Sequence, residues 1–158
     1  MHEASLEMMR GFRPAIDAGS TVLDVGGADI NGSYREIFAD CRYTSLDRKG
    51  ADINVDGYDW PIADGAFDAV ISGQALEHDP EFWTTTREMA RVLRPGGALV
   101  IIVPSSGGVH RHPLDCWRFY PDSMKAIALW AGLELVSTKS SKESKWRDLG
   151  GLFRKPSK

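Results

Sequence analysis

Three stretches of this chain, Thr21–Val25, Phe67–Ser72 and Ala98–Val103, are almost wholly apolar instead of alternating. A strand with one face in water alternates apolar and polar residues, so a continuous apolar run must be covered on both faces. Between such runs lie stretches with helical spacing, clearest in Phe82, Thr86, Met89, Ala90 and Leu93. Short strands alternating with helical periods predict an α/β chain whose parallel sheet is sandwiched between helical layers.

The remaining elements follow from punctuation. Tyr43–Asp47 reads as a second strand and Asp52–Val55 as a weaker third. Asn31, Gly32 and Ser33 lead into Tyr34, Ile37 and Phe38, which share one face of a short helix. Asp79 is placed to cap a helix that Pro80 opens, and Pro95-Gly96-Gly97 ends it. A helix over Asp122–Ala131 closes on Gly132, and Leu133–Thr138 and Leu149–Arg154 supply two last strands. The polar stretch from Ser140 to Lys145 between them predicts a solvated hairpin tip, and Glu3–Ile16 a modest N-terminal helix. Residues 104–121 form a connector long enough to suggest a functional loop.

Size and charge narrow the function classes. At 158 residues the chain predicts one domain, residues 1–158, with no room for a two-domain dehydrogenase. Its 42% hydrophobic and 26% charged residues exclude disorder, collagen and coiled coil. A net charge of −3 argues against a broad nucleic-acid footprint. No apolar run approaches the roughly 20 residues that span a bilayer, so no membrane partner is expected. Two cysteines, Cys41 and Cys116, make no disulfide framework, and residues 1–5 lack the pattern of a secretory leader. A cytoplasmic location is the expectation, with a homo-oligomer left open.

In open α/β sheets ligands bind beyond the carboxyl ends of the strands. The first strand ends in Asp24-Val25-Gly26-Gly27-Ala28, and a glycine there lets the backbone turn sharply and approach a ligand. The helix to follow would offer unpaired N–H groups to an anionic group. Asp47 lies 47 − 26 = 21 residues past Gly26, where an acid at the second strand's end accepts hydrogen bonds from ribose hydroxyls. Together these predict a nucleoside site. From Gly26 the sequence runs Gly-Gly-Ala-Asp-Ile-Asn, which lacks the later glycines of a dinucleotide fingerprint.

The segment resembles motif I of class I S-adenosylmethionine-dependent methyltransferases, with Asp24 and Gly26 in register and Ala28 and Ile30 at the positions of further glycines. Val55-Asp56-Gly57, Trp60-Pro61-Ile62 and Asp64–Ile71 are similar to that family's adenine loop and fourth strand. Ser72–His78 resembles the segment after it, and Arg91–Gly97 the signature turn before strand five. The resemblance implies a three-layer Rossmann-like, seven-stranded, mostly parallel sheet with an antiparallel last strand. It also implies S-adenosylmethionine as cofactor, with S-adenosylhomocysteine as product.

On that resemblance, Asp24, Gly26 and Gly27 form the turn under the methionine moiety, and Asp47 binds the ribose. Asp24 has two readings, a turn-stabilising acid or a ligand of the cofactor amine. Asp56 resembles the acceptor of the adenine amine, with Gly57 allowing close approach, and Gln74 lies where the family's backbone passes the methionine end. A base of near-neutral pKa would assist an oxygen or nitrogen acceptor, and His78, His110 and His112 are the candidates. His78 has a plainer reading, as part of a Glu77-His78 pair bracing the next helix. His110, His112 and Cys116 offer three metal donors, but adjacent Pro113 and the lack of a fourth ligand argue against a metal. Arg111 and Arg118 could hold an anionic group of the acceptor. The expected function is methyl transfer to a small acceptor, residues 1–17 and the 104–121 loop covering it; the loop resembles those of bacterial methyltransferases associated with glycan biosynthesis. The alternatives are a non-catalytic module that keeps the fold and a small nicotinamide-binding domain.

Overall fold

The computed structural model describes residues 2–30 and 32–157, so Asn31 of the expected helix entry lies outside it. Seven strands make one sheet: β1 (Thr21–Val25), β2 (Arg42–Asp47), β3 (Ile53–Asn54), β4 (Phe67–Gly73), β5 (Leu93–Val103), β6 (Glu134–Ser140) and β7 (Leu149–Arg154). Their order across the sheet is β3-β2-β1-β4-β5-β7-β6. The first five strands pair in parallel, and β7 inserts antiparallel between β5 and β6. The seven-stranded sheet with its antiparallel last strand is as expected.

The continuous apolar strands are covered on both faces. Along β5, Leu99, Ile101 and Val103 face α2 (Phe82–Val92) and α3 (Asp122–Ala131), joining Met89, Val92, Met124 and Ile127. Ala98, Val100 and Ile102 face the other way, against Met8, Met9 and Phe12 of α1 (Glu3–Phe12). Period-two alternation in one strand therefore feeds two cores. Gly150 of β7 makes room for α1, since a Cβ there would lie 2.6 Å from the Met8 sulfur and from the Phe12 ring.

Three local expectations are corrected. The helix after β1 is a single 3-10 turn, Arg35–Phe38. Tyr34 and Phe38 are both fully buried, so the spacing marks the buried face although the element is shorter than expected. Asp79 does not cap α2; its carboxylate accepts from the Glu81 N–H at 2.9 Å and from the Tyr58 hydroxyl at 2.7 Å, bracing the chain ahead of the helix. Arg94–Gly97 is not a turn before β5 but a bulge inside it. Phe67 pairs with Leu93 and Ala69 with Ala98, and the bulge is held by reciprocal backbone bonds between Gly96, Gly97 and Lys155. The Ser140–Lys145 stretch is the mostly exposed tip of the β6–β7 hairpin, as expected, and just beyond it the Trp146 carbonyl accepts from the Ser105 and Ser106 N–H groups of the 104–121 loop.

Candidate active site

The glycine turn leaves β1 with Gly26 at φ +79°, a left-handed backbone that disfavours any side chain. The Gly26 and Gly27 N–H groups both donate to the Leu46 carbonyl, at 2.8 and 3.2 Å, so the turn is laid over the end of β2. A Cβ on Gly26 would sit 2.4 Å from that of Ala75, and one on Gly27 2.8 Å from the Asp24 carboxylate. Asp24 is buried beneath the turn and accepts a short hydrogen bond from the Tyr43 hydroxyl. Burial pushes its pKa up to about 7 against the opposing pull of that hydrogen bond.

Asp47 stands at the end of β2, as expected. One carboxylate oxygen accepts from the Ala28 N–H at 3.3 Å and the other from the Arg48 N–H at 2.6 Å. It therefore ties the glycine turn to β2 and keeps lone pairs on both oxygens for a diol. Asp56 and Gly57 lie exposed just beyond β3, with Gly57 at φ +120°. A cavity of about 780 Å³ opens beside the turn, bounded by Gly27, Asp29, Ser33, Arg35, Ser45 and Asp52. Asp47, Asp56, Gly57 and Gln74 are not among its walls. Among the described residues only a 3-10 turn follows β1, so the expected helix N-terminus is not found there, and an anion at that place would be held by loop N–H groups.

On the far side of Ala75 the expected histidines converge. Gln74 leaves β4 with φ +56°, bonds the Ile102 carbonyl through its N–H at 2.9 Å, and donates from its side chain to Asp148 at 3.1 Å. A 3-10 turn over Leu76–His78 follows. The Glu77 carbonyl accepts from the N–H groups of Cys116 and Trp117 at 2.7 and 3.2 Å, which fastens the 104–121 loop onto β4. The His78 ring lies 4.8 Å from that of His110 and 6.1 Å from that of His112, centroid to centroid. His78 Nδ1 donates to the Leu114 carbonyl at 2.6 Å, leaving Nε2 as its free lone pair. Burial lowers the His78 pKa.

The structure adds partners that the sequence did not single out. Glu77 is wholly buried, and desolvation raises its pKa to about 7, opposed by the Arg118 charge. Asp115, which bonds the His110 N–H at 2.7 Å and pairs with Arg118 at 2.7 Å, is held well below the usual carboxylate range. Arg118 is thus an internal strut, also donating to the Gly108 carbonyl, and not a free anion receptor. The Trp146 ring lies against that of His110, 4.3 Å between centroids and tilted by 45°. Cys116 is exposed and outside the cluster, so the metal trio considered from sequence is not assembled. Among the described residues, the donors that do gather, within 4.8 Å of one another, belong to Glu77, His78 and His110.

The profile of the methyltransferase domain family matches residues 17–101. The chain belongs to that family. The matched region carries the glycine turn, Asp47, Asp56 and His78, and stops before the 104–121 loop. An uncharacterised methyltransferase of Mycobacterium sp. (strain JLS) is 34% identical over 98 residues, covering 52% of this chain and 38% of the relative. The matched stretch is thus well under half the length of such curated relatives. A methyltransferase-like structure from Bacillus halodurans superposes with a TM-score of 0.73 at 15% identity, over 98% of this chain and all of that one. The Burkholderia thailandensis 1,6-didemethyltoxoflavin-N1-methyltransferase, solved with its substrate and S-adenosylhomocysteine, superposes with a TM-score of 0.73 at 19% identity, over 98% and 79%. S-adenosylmethionine is the cofactor of this family, and the residues here fit it: the glycine turn lies at the carboxyl end of β1 beside Asp47, which keeps acceptor lone pairs on both carboxylate oxygens.

Proposed function

We propose that this domain transfers a methyl group from S-adenosylmethionine to an oxygen or nitrogen of a small acceptor, such as a glycan precursor. The carrying observation is that one short segment, Gln74–His78, has the glycine turn against its first part and the histidine-bearing loop fastened to its last. Bound S-adenosylmethionine would supply an electrophilic methyl group attached to sulfur. Gly26 and Gly27 admit the methionine moiety, Asp47 accepts from the ribose, and Asp56 with Gly57 borders the adenine. Asp24 supports the turn from below, since its carboxylate is engaged by Tyr43. The 104–121 loop, closed down through Cys116 and Trp117, excludes water and positions the acceptor, so that placement contributes much of the rate. His78, His110 and His112 take up the acceptor proton, His112 being the exposed member nearest solvent.

No helix among the described residues is long and apolar enough to cross a membrane. Free Cys41 and Cys116 suit the reducing cytoplasm. The test is methyl transfer to an acceptor panel by the native chain and by His78→Ala, His110→Ala and His112→Ala, with S-adenosylhomocysteine affinity measured on each. Turnover should fall with affinity intact. Turnover unchanged in all three variants contradicts the assignment of the histidines, and cofactor binding with no turnover on any acceptor favours a non-catalytic module.

A further inference from the structure

Glu77 is fully buried, yet among the described residues neither of its carboxylate oxygens has a hydrogen-bond partner. Buried carboxylates are costly unless paired, hydrogen-bonded or bound to a metal. Two ring nitrogens approach one of those oxygens: His78 Nε2 at 3.6 Å and His110 Nε2 at 3.9 Å, both from Glu77 Oε1. We propose that Glu77, His78 and His110 form a binding site for one divalent transition ion of the zinc class.

The donor set is right in kind. Two imidazoles and one carboxylate, with no sulfur, suit zinc, iron(II) or nickel better than magnesium or calcium. Two histidines and a glutamate also leave the open position that marks a catalytic zinc centre. Ligands about 2.1 Å from a tetrahedral ion stand about 3.4 Å apart. The two carboxylate–imidazole separations need to contract by a few tenths of an ångström, and the donors as a set, which lie within 4.8 Å of one another, must draw together around the ion. Of the two imidazoles, His78 already has the tautomer an ion needs. The His78 Nδ1 proton is committed to the Leu114 carbonyl, which turns the Nε2 lone pair toward Glu77. His110 Nδ1 lies 3.3 Å from Asp115 Oδ2 and 3.3 Å from the Arg118 guanidinium, which can only donate, so an ion on Nε2 requires the ring proton to move to Nδ1 and turn to Asp115.

The surrounding charge also favours a cation. Arg118 comes within 3.3 Å of His110 Nδ1, but its charge is balanced by the bidentate pair with Asp115. That leaves Glu77 and Asp148, both wholly buried, with only His2 beside Asp148 at 3.4 Å. One Asp148 oxygen is unpartnered as well. An ion held by His78 and His110 leaves His112 as the histidine free to take a proton, and the ion's open position to water or an acceptor oxygen. That catalytic role rests on the methyl-transfer reading; the binding site itself does not.

The test is calorimetric titration of zinc chloride into the untagged full chain, freed of metal by a chelator, with cobalt(II) absorption as a second readout. One ion per chain is expected, with a raised melting temperature. Glu77→Gln should weaken zinc binding at least a hundredfold, while its own metal-free form melts higher than the native one because a buried charge is gone. His110→Ala, whose ring is 34% exposed, should lose zinc equally and serves if Glu77→Gln does not fold. Cys116→Ser and His112→Ala should bind zinc as the native chain does. Absence of zinc binding by the native chain, full affinity in Glu77→Gln or His110→Ala, or equal loss in Cys116→Ser overturns the proposal. S-adenosylhomocysteine titrated into the same samples separates the questions: zinc bound without it contradicts the functional reading alone, and the reverse contradicts the ion site alone.

Discussion

The two ends of the sheet are built on opposite electrostatic terms. Where the strands begin, charges are matched. Asp68 accepts from the Thr21 N–H and hydroxyl and from Arg94, at 2.7–2.8 Å, and these bonds hold its pKa down to about 2. Arg91 pairs with Glu88 and Asp64 and donates to the Trp60 and Ile62 carbonyls. Lys155 donates to the last carbonyls of α2 at Ala90 and to Leu93. At the carboxyl end the acids Asp24, Glu77 and Asp148 are buried, and burial raises the pKa of each. Satisfied interactions at one end offset strain at the other, a distribution that marks the frustrated end as the functional one.

Four substitutions break or sharpen that contrast. The largest effect on binding is expected from Gly26→Val, which puts a β-branched side chain at a left-handed φ and into Ala75. S-adenosylhomocysteine affinity should drop by about two orders of magnitude or more, since strain and clash each cost about 1–3 kcal/mol. At the opposite end Asp68→Ala should cost about 2 kcal/mol of stability at pH 7, by denaturant titration, and leave cofactor affinity alone. Because Asp68 ionises near 2 when folded and near 3.8 otherwise, the stability it provides is present above pH 3.8 and is lost as pH falls toward 2.

Asp24→Asn should act with the opposite sign. The native carboxyl ionises near 7 when folded against an ordinary 3.8, so its protonated form is favoured and stability is lost as pH rises from 3.8 through 7. The amide still accepts from Tyr43 and carries no charge. The variant should gain about 1–3 kcal/mol over the native chain above pH 7 and nothing below pH 3.8. The smallest effect is expected from Asp47→Ala: about tenfold weaker S-adenosylhomocysteine binding, or about 1.4 kcal/mol, with little change in melting temperature.

What was legible in the sequence follows the same division. The apolar runs at Thr21–Val25, Phe67–Ser72 and Ala98–Val103 set the parallel strands, because two-sided burial leaves a continuous pattern. Gly26 and Asp47 were legible because a turn and a strand end are local in sequence. The meeting of His78 with His110 was foreseen only as a shared role, and the fastening of the loop through the Glu77 carbonyl has no local signature. Asp148 bonds Gln74 across 74 residues, and Trp146 reaches His110 from just beyond the polar Ser140–Lys145 stretch. Arg118 read as an anion receptor, because nothing in its spacing says that Asp115 would claim it. Residue type predicts chemistry at such positions, while partners depend on tertiary packing.

The most direct measurement is calorimetry on the native chain with S-adenosylhomocysteine and NAD in parallel, repeated on Asp47→Ala. One equivalent of S-adenosylhomocysteine bound, weakened about tenfold in the variant, with no heat from NAD, is the expected result. Binding of NAD alone, or S-adenosylhomocysteine affinity indifferent to Asp47, contradicts a cofactor site at the carboxyl end of β1 and β2.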